Sequence, residues 1–119
     1  MKLLDELREL GVDVDQGLGR VMGDESLYEM MLGMFVDEVG GNPVKLEDFD
    51  DAAQNGLTER IHTLKGVTGN LAMTQLFDRY TSVLGMLREG RYDEAKAGFE
   101  EILPAQEKVL DCIRRSMNA

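Results

Sequence analysis

The 119-residue chain carries 23 acidic against 13 basic residues, a net charge of −10 with its one histidine neutral. Nucleic acid and anionic membrane both require clustered Lys and Arg, so this balance argues against either as a partner. The length suits one domain with a single core, and the 43% hydrophobic content, two prolines and absence of tryptophan favour a folded helical chain.

Residues 2–10 read as a short amphipathic helix with Leu3, Leu4, Leu7 and Leu10 on one side and Gly11 as its stop. The leucines are interrupted by charge, so this segment lacks the apolar core of a signal peptide. Asp13 or Asp15 can cap a second short helix through Val21. Gly23 ends it, and Asp24 is a good N-cap for the next. There Leu27, Met30, Met31, Met34 and Phe35 follow the i, i+3, i+4, i+7, i+8 spacing of a core-facing helix. The eight methionines are expected to fill gaps between helices rather than to form a partner-binding surface.

Gly40-Gly41-Asn42-Pro43 is the strongest break, with Asn42 and Pro43 placed as N-cap and N1 of a helix continuing through Val44, Leu46 and Phe49. The helix after it starts in one of two ways. Asp50 or Asp51 caps a long helix that tolerates Gly56, or Asn55-Gly56 is a turn and Thr58 the cap. A further helix over about 74–89 carries Leu76, Phe77, Tyr80, Val83, Leu84 and Leu87. Glu89-Gly90-Arg91 then turns into a last helix, from about Tyr92 to Met117, which Pro104 should bend or locally unwind. Short turns between successive amphipathic helices predict an all-α, antiparallel up-down-up-down four-helix bundle over about 24–117, preceded by short helical segments over about 2–22. The single Cys112 lies near Val109, Leu110 and Ile113, as a buried inert thiol would, and fits a reducing cytoplasm. No apolar run approaches the ~20 residues needed to span a bilayer.

The only histidine stands in Ile61-His62-Thr63-Leu64-Lys65-Gly66-Val67-Thr68-Gly69-Asn70-Leu71. Leu57, Ile61, Leu64, Thr68 and Leu71 form a helical stripe with Thr68 its one polar member. At about 100° per residue, His62 lies one step round from Ile61, at the edge of that stripe. Lys65 and Gly66 fall at i+3 and i+4, beside the imidazole. A ring with an ordinary pKa of about 6.5 keeps a nucleophilic nitrogen near neutral pH. Phosphoryl transfer asks mainly for positioning and charge compensation, which a lysine one turn away supplies. From spacing alone, a surface histidine on an amphipathic helix is the commoner outcome.

Other chemistries find less support. Glu59-Arg60-Ile61-His62 has the Glu-x-x-His spacing of dimetal bundles, but those need two such motifs, and the chain has one histidine. Glu59 is then a neighbour of His62 or solvated surface. No P-loop is present, and nothing stands at suggestive spacing for a Ser-His-Asp or Cys-His site.

His62-Thr63-Leu64-Lys65-Gly66, followed by Asn70-Leu71, resembles the signature of histidine-containing phosphotransfer (HPt) domains. Gly11-Val12-Asp13-Val14-Asp15-Gln16-Gly17-Leu18, then Gly23-Asp24-Glu25-Ser26-Leu27-Tyr28 and Phe35, resembles that family's lead-in, so the likeness runs from about Gly11 to the C-terminus. The sequence departs from the family pattern at Val67, Ala72 and Val83-Leu84, where a small polar residue, a glycine and a Leu-Glu pair are usual. Gly40-Gly41 also predicts a broken version of what is often one long helix there.

The resemblance implies a phosphoryl carrier in a multistep His-Asp phosphorelay, without kinase or ATPase activity. His62 would be the phosphoacceptor and Lys65 would offset phosphoryl charge. Gly66, Gly69, Thr58, Glu59 and Thr63 would form the docking surface. The implied partners are response-regulator receiver domains and a hybrid sensor histidine kinase, with the chain a cytoplasmic monomer. It would need no cofactor, any Mg²⁺ belonging to the receiver. The competing expectation is a helical adaptor that binds such partners without transferring phosphate.

Overall fold

The computed structural model describes residues 2–117, and among them every regular element is helical. The order is α1 (Lys2–Glu9), α2 (Val14–Gly19), α3 (Glu25–Gly41), a 3₁₀ turn (Leu46–Asp51), α4 (Leu57–Asn70), α5 (Thr74–Arg88) and α6 (Tyr92–Met117). No helix among the described residues is long and apolar enough to cross a membrane.

The N-terminal caps form as their residue types dictate. Asp13, rather than Asp15, caps α2 by accepting from the Gln16 N–H at 3.1 Å. Asp24 caps α3 in the same way, accepting from Leu27. Gly11 and Gly23 adopt the positive φ that closes the preceding turns.

In α3 the expected helix is present but a different face is buried. Tyr28, Leu32, Phe35 and Val39 enter the core, while Leu27, Met30 and Met34 are exposed. Tyr28 decides the rotation, because its hydroxyl donates to the Leu71 carbonyl at 2.9 Å in the interior. Its ring also lies where any side chain at position 17 would clash, so Gly17 lets it in. Several methionines are therefore surface groups, not gap fillers, and Met22 is almost wholly exposed.

The break after α3 also departs from expectation. Asn42 and Pro43 start no helix, and the 3₁₀ turn begins only at Leu46. The Asn42 and Pro43 carbonyls are instead taken by Arg60, which donates to them at 3.2 and 3.1 Å and contacts Asp48 at 3.4 Å. Asp48 in turn accepts from the Lys45 N–H at 2.8 Å, closing the turn. The half-buried Arg60 thereby ties the irregular segment to α4.

α4 and α5 are joined by three residues and pack extensively on each other, as do α5 and α6; α3 lies against α4 and α6. Tyr80 donates to buried Gln106, which links α5 to α6 inside the core. Pro104 sits within α6 without ending it. The carbonyl that Pro104 cannot bond belongs to Glu100, which is exposed, so water can satisfy it. Cys112 is buried, and burial first, then the Glu6 carboxylate, pushes its thiol up to about 11.

Ala72, in the α4–α5 turn, has φ +57° and is almost fully buried. A left-handed conformation costs an L-residue roughly 1–2 kcal/mol, which explains why glycine suits this position. Ala72→Gly should therefore raise unfolding stability by about 1 kcal/mol in urea titrations.

Burial raises Tyr28 to about 12 and also lifts Tyr80 well above the ordinary phenol value. Both phenols stay protonated in the native state after they ionise in the unfolded chain, whose value is about 10. Their contribution is fully present below that pH and is lost as pH rises through the folded values. Stability should thus fall from about pH 10 upward, and Tyr28→Phe should weaken that fall, as followed by circular dichroism against pH.

Candidate functional site

α4 begins at Leu57 behind a left-handed Gly56, with the Asn55 side chain accepting from the Leu57 N–H at 3.1 Å. Of the two predicted starts, the Asn55-Gly56 turn is the one formed, and Thr58 lies inside the first turn. Leu57, Ile61, Leu64 and Thr68 are buried. Each large apolar side chain buried here contributes about 1.5–3 kcal/mol, far more than propensity differences within the helix, so this stripe sets the rotation of α4. Thr68 is tolerated at full burial because its hydroxyl bonds the Leu64 and Lys65 carbonyls at 2.8 and 3.0 Å.

With the stripe buried, His62 is exposed, and so are Glu59, Thr63 and Gly66. Thr58, Lys65 and Gly69 are half-buried at the flanks. Thr63 bonds the Glu59 carbonyl at 3.1 Å and is thereby partly occupied within the helix. All seven residues singled out by sequence therefore lie on α4, with the imidazole on its solvent side.

The two glycines of the segment differ. A methyl group at Gly66 would meet nothing within 4 Å. Packing does not require glycine there, although glycine in a helix interior costs about 1 kcal/mol relative to alanine. Gly85 of α5 is equally open. At Gly69 a methyl carbon would stand 2.9 Å from the Phe77 ring, so that glycine is what admits Phe77 to the surface of α4.

Lys65 extends over the same ring, its Nζ 5.9 Å from the Phe77 centroid, within cation–π range. Arg20, just past α2, donates to the Gly69 carbonyl. Gln16, Arg20, Gly66, Gly69, Phe77 and Asp78 line a shallow cleft alongside. By spacing Phe77 belongs simply to the apolar stripe of α5, and Arg20 stands in no motif. Neither has a local signal, because both reach α4 through tertiary packing. A second groove, on the other flank of α4, is lined by Met31, Met34, Glu38, Val67 and Asn70.

Comparison with protein-family models, curated proteins and solved structures gives no match to this chain.

The contrast between the glycines is measurable by urea unfolding. Gly66→Ala should stabilise the protein by about 0.5–1 kcal/mol, because the methyl has room and the unfolded chain loses freedom. Gly69→Ala should destabilise it by about 1–3 kcal/mol, the usual cost of overpacking.

Proposed function

We propose that this chain is a histidine phosphotransfer module, carrying a phosphoryl group between receiver-domain aspartates in a His-Asp phosphorelay. The observation that carries the reading is Gly66. It stands one turn from an exposed histidine, beside a lysine, and no intramolecular contact explains its missing side chain. A bare helix surface next to a nucleophile has a use if another protein's active site must close over that nucleophile. The resemblance of His62-Thr63-Leu64-Lys65-Gly66 to the HPt signature supports the same reading, as does Ala72, which stands in a glycine-type conformation where that family commonly has glycine. On this reading α3, α4, α5 and α6 make the up-down-up-down bundle.

The transfer step needs little from this chain. The lone pair of a neutral His62 nitrogen attacks the phosphorus of a receiver's aspartyl phosphate; the P–O bond breaks as the N–P bond forms, and the aspartate leaves as carboxylate. The proton on the other ring nitrogen passes to water, giving a neutral phosphoimidazole. Lys65 offsets charge on the phosphoryl oxygens, and the receiver brings its own Mg²⁺. Thr58, Glu59, Thr63 and Gly69 frame the docking surface. Onward transfer reverses these steps on a second receiver.

A non-transferring adaptor is the second reading. The exposed Leu27, Met30 and Met34 on α3 favour it, since they offer apolar area for a partner without any chemistry.

The deciding experiment incubates wild type and His62→Gln with phosphorylated receiver domains. A carrier acquires an acid-labile, base-stable label that His62→Gln lacks, and Lys65→Met lowers the transfer rate at least tenfold. An adaptor binds receivers without label, and binds them equally after His62→Gln. Gly66→Ala should weaken receiver binding several-fold in calorimetry while leaving the fold intact.

A further inference from the structure

The contact the structure gives Lys65 is with a phenyl ring, not with the histidine it is proposed to serve. Its ammonium lies over Phe77, whose ring is packed against Gly69. Gly69 is one turn to the C-terminal side of Lys65, whereas His62 is three residues to the N-terminal side. At about 1.5 Å of rise per residue, the ring's packing partner Gly69 stands about 10 Å along the helix from His62, and it is this ring that the ammonium contacts.

We propose that Phe77 is a positioning residue that parks Lys65, so that the lysine has a resting position on the ring and a working position against the phosphoryl group on His62. The inference rests on the carrier reading above. Three features support it. The ring is held by packing, half-buried in α5 and fitted to the missing side chain at Gly69. Lys65 makes no salt bridge among the described residues, so the ring face is the partner it has. A cation–π contact at such a partly exposed site is also weak, so a phosphoryl dianion can displace it.

The arrangement has two consequences. With His62 unmodified, the ring contact stabilises Lys65 in a position that the phosphorylated state must give up. With His62 phosphorylated, leaving Phe77 partly offsets the attraction of Lys65 for phosphate. The phosphohistidine is then less stabilised than a free lysine would make it, and onward transfer is easier. Phe77 therefore touches neither phosphate nor ring and acts only through Lys65.

The test reads the lysine directly by NMR. In unmodified wild type, the Cε protons of Lys65 should be shifted upfield by the ring; Phe77→Tyr should keep that shift and Phe77→Leu should abolish it. Phosphoramidate then phosphorylates His62 without any receiver, one P–N bond replacing another as ammonia leaves. Labelling should release the upfield shift in wild type as Lys65 moves to the phosphoryl group. In exchange with a receiver, Phe77→Leu should move the phosphoryl equilibrium about two- to fivefold toward His62, the worth of one exposed cation–π contact. Phe77→Tyr should restore the wild-type value, and the effect of Phe77→Leu should vanish in a Lys65→Met background. Wild type that lacks the upfield shift, or takes the label and keeps the shift, overturns the parked lysine alone. A Phe77→Leu effect that persists without Lys65 also overturns it, because the role is then one of packing. Wild type that takes no label on His62 overturns the carrier reading itself.

Discussion

The turn between α4 and α5 is the constraint on which the arrangement depends. Two of its carbonyls, and that of Gly69 just before it, accept from the N-terminal third of the chain: Gly69 from Arg20, Leu71 from the Tyr28 hydroxyl and Ala72 from the Asp13 N–H at 2.9 Å. A helix C-terminus leaves carbonyls without intrahelical partners, and buried ones are costly unless bonded. Here the two residues flanking α2, Asp13 and Arg20, and Tyr28 of α3 supply the donors. The end of α4 is therefore fixed by elements distant in sequence, while its buried stripe sets the direction in which His62 faces.

The same turn explains why two odd residues persist. Ala72 is held at a positive φ because its carbonyl must face Asp13, and it does so despite the strain of a Cβ. Tyr28 is buried among apolar groups because its hydroxyl has a partner in Leu71, which offsets the desolvation of a phenol. Once Tyr28 is committed to the interior, α3 cannot also bury Met30 and Met34. The exposed methionine face is thus the geometrical complement of one hydrogen bond.

On the opposite, solvent side of α4 the forces are weaker and serve a different end. There Gly66 is bare, while Phe77 packs against Gly69 and Arg20 donates to its carbonyl. A bare helix surface and a lysine held by a contact that a phosphate can displace are poor contributors to stability. On the carrier reading proposed above, they suit a site that must admit another protein and then let its phosphoryl group go. The half-buried Arg60 clamp keeps the preceding irregular segment against α4, so openness at His62 does not come from a loose helix start.

Much of this was written in local sequence. A cap at Asp13 or Asp15 and one at Asp24, glycine turns, the extents of α5 and α6, the buried stripe of α4 and hence the exposure of His62 all follow from spacing and residue type, because capping and amphipathic burial act over one or two turns. What spacing left open, tertiary structure decided. Spacing in α3 points to Leu27, Met30, Met31, Met34 and Phe35 as the core face, but Tyr28, Leu32, Phe35 and Val39 are buried instead, with Tyr28 reaching Leu71. Asn42-Pro43 has the chemistry of a helix start, but Arg60, distant in sequence, took its carbonyls. Gly66 and Gly69 look alike in sequence; one is open and one is filled by Phe77, a difference that exists only because α5 folds back onto α4.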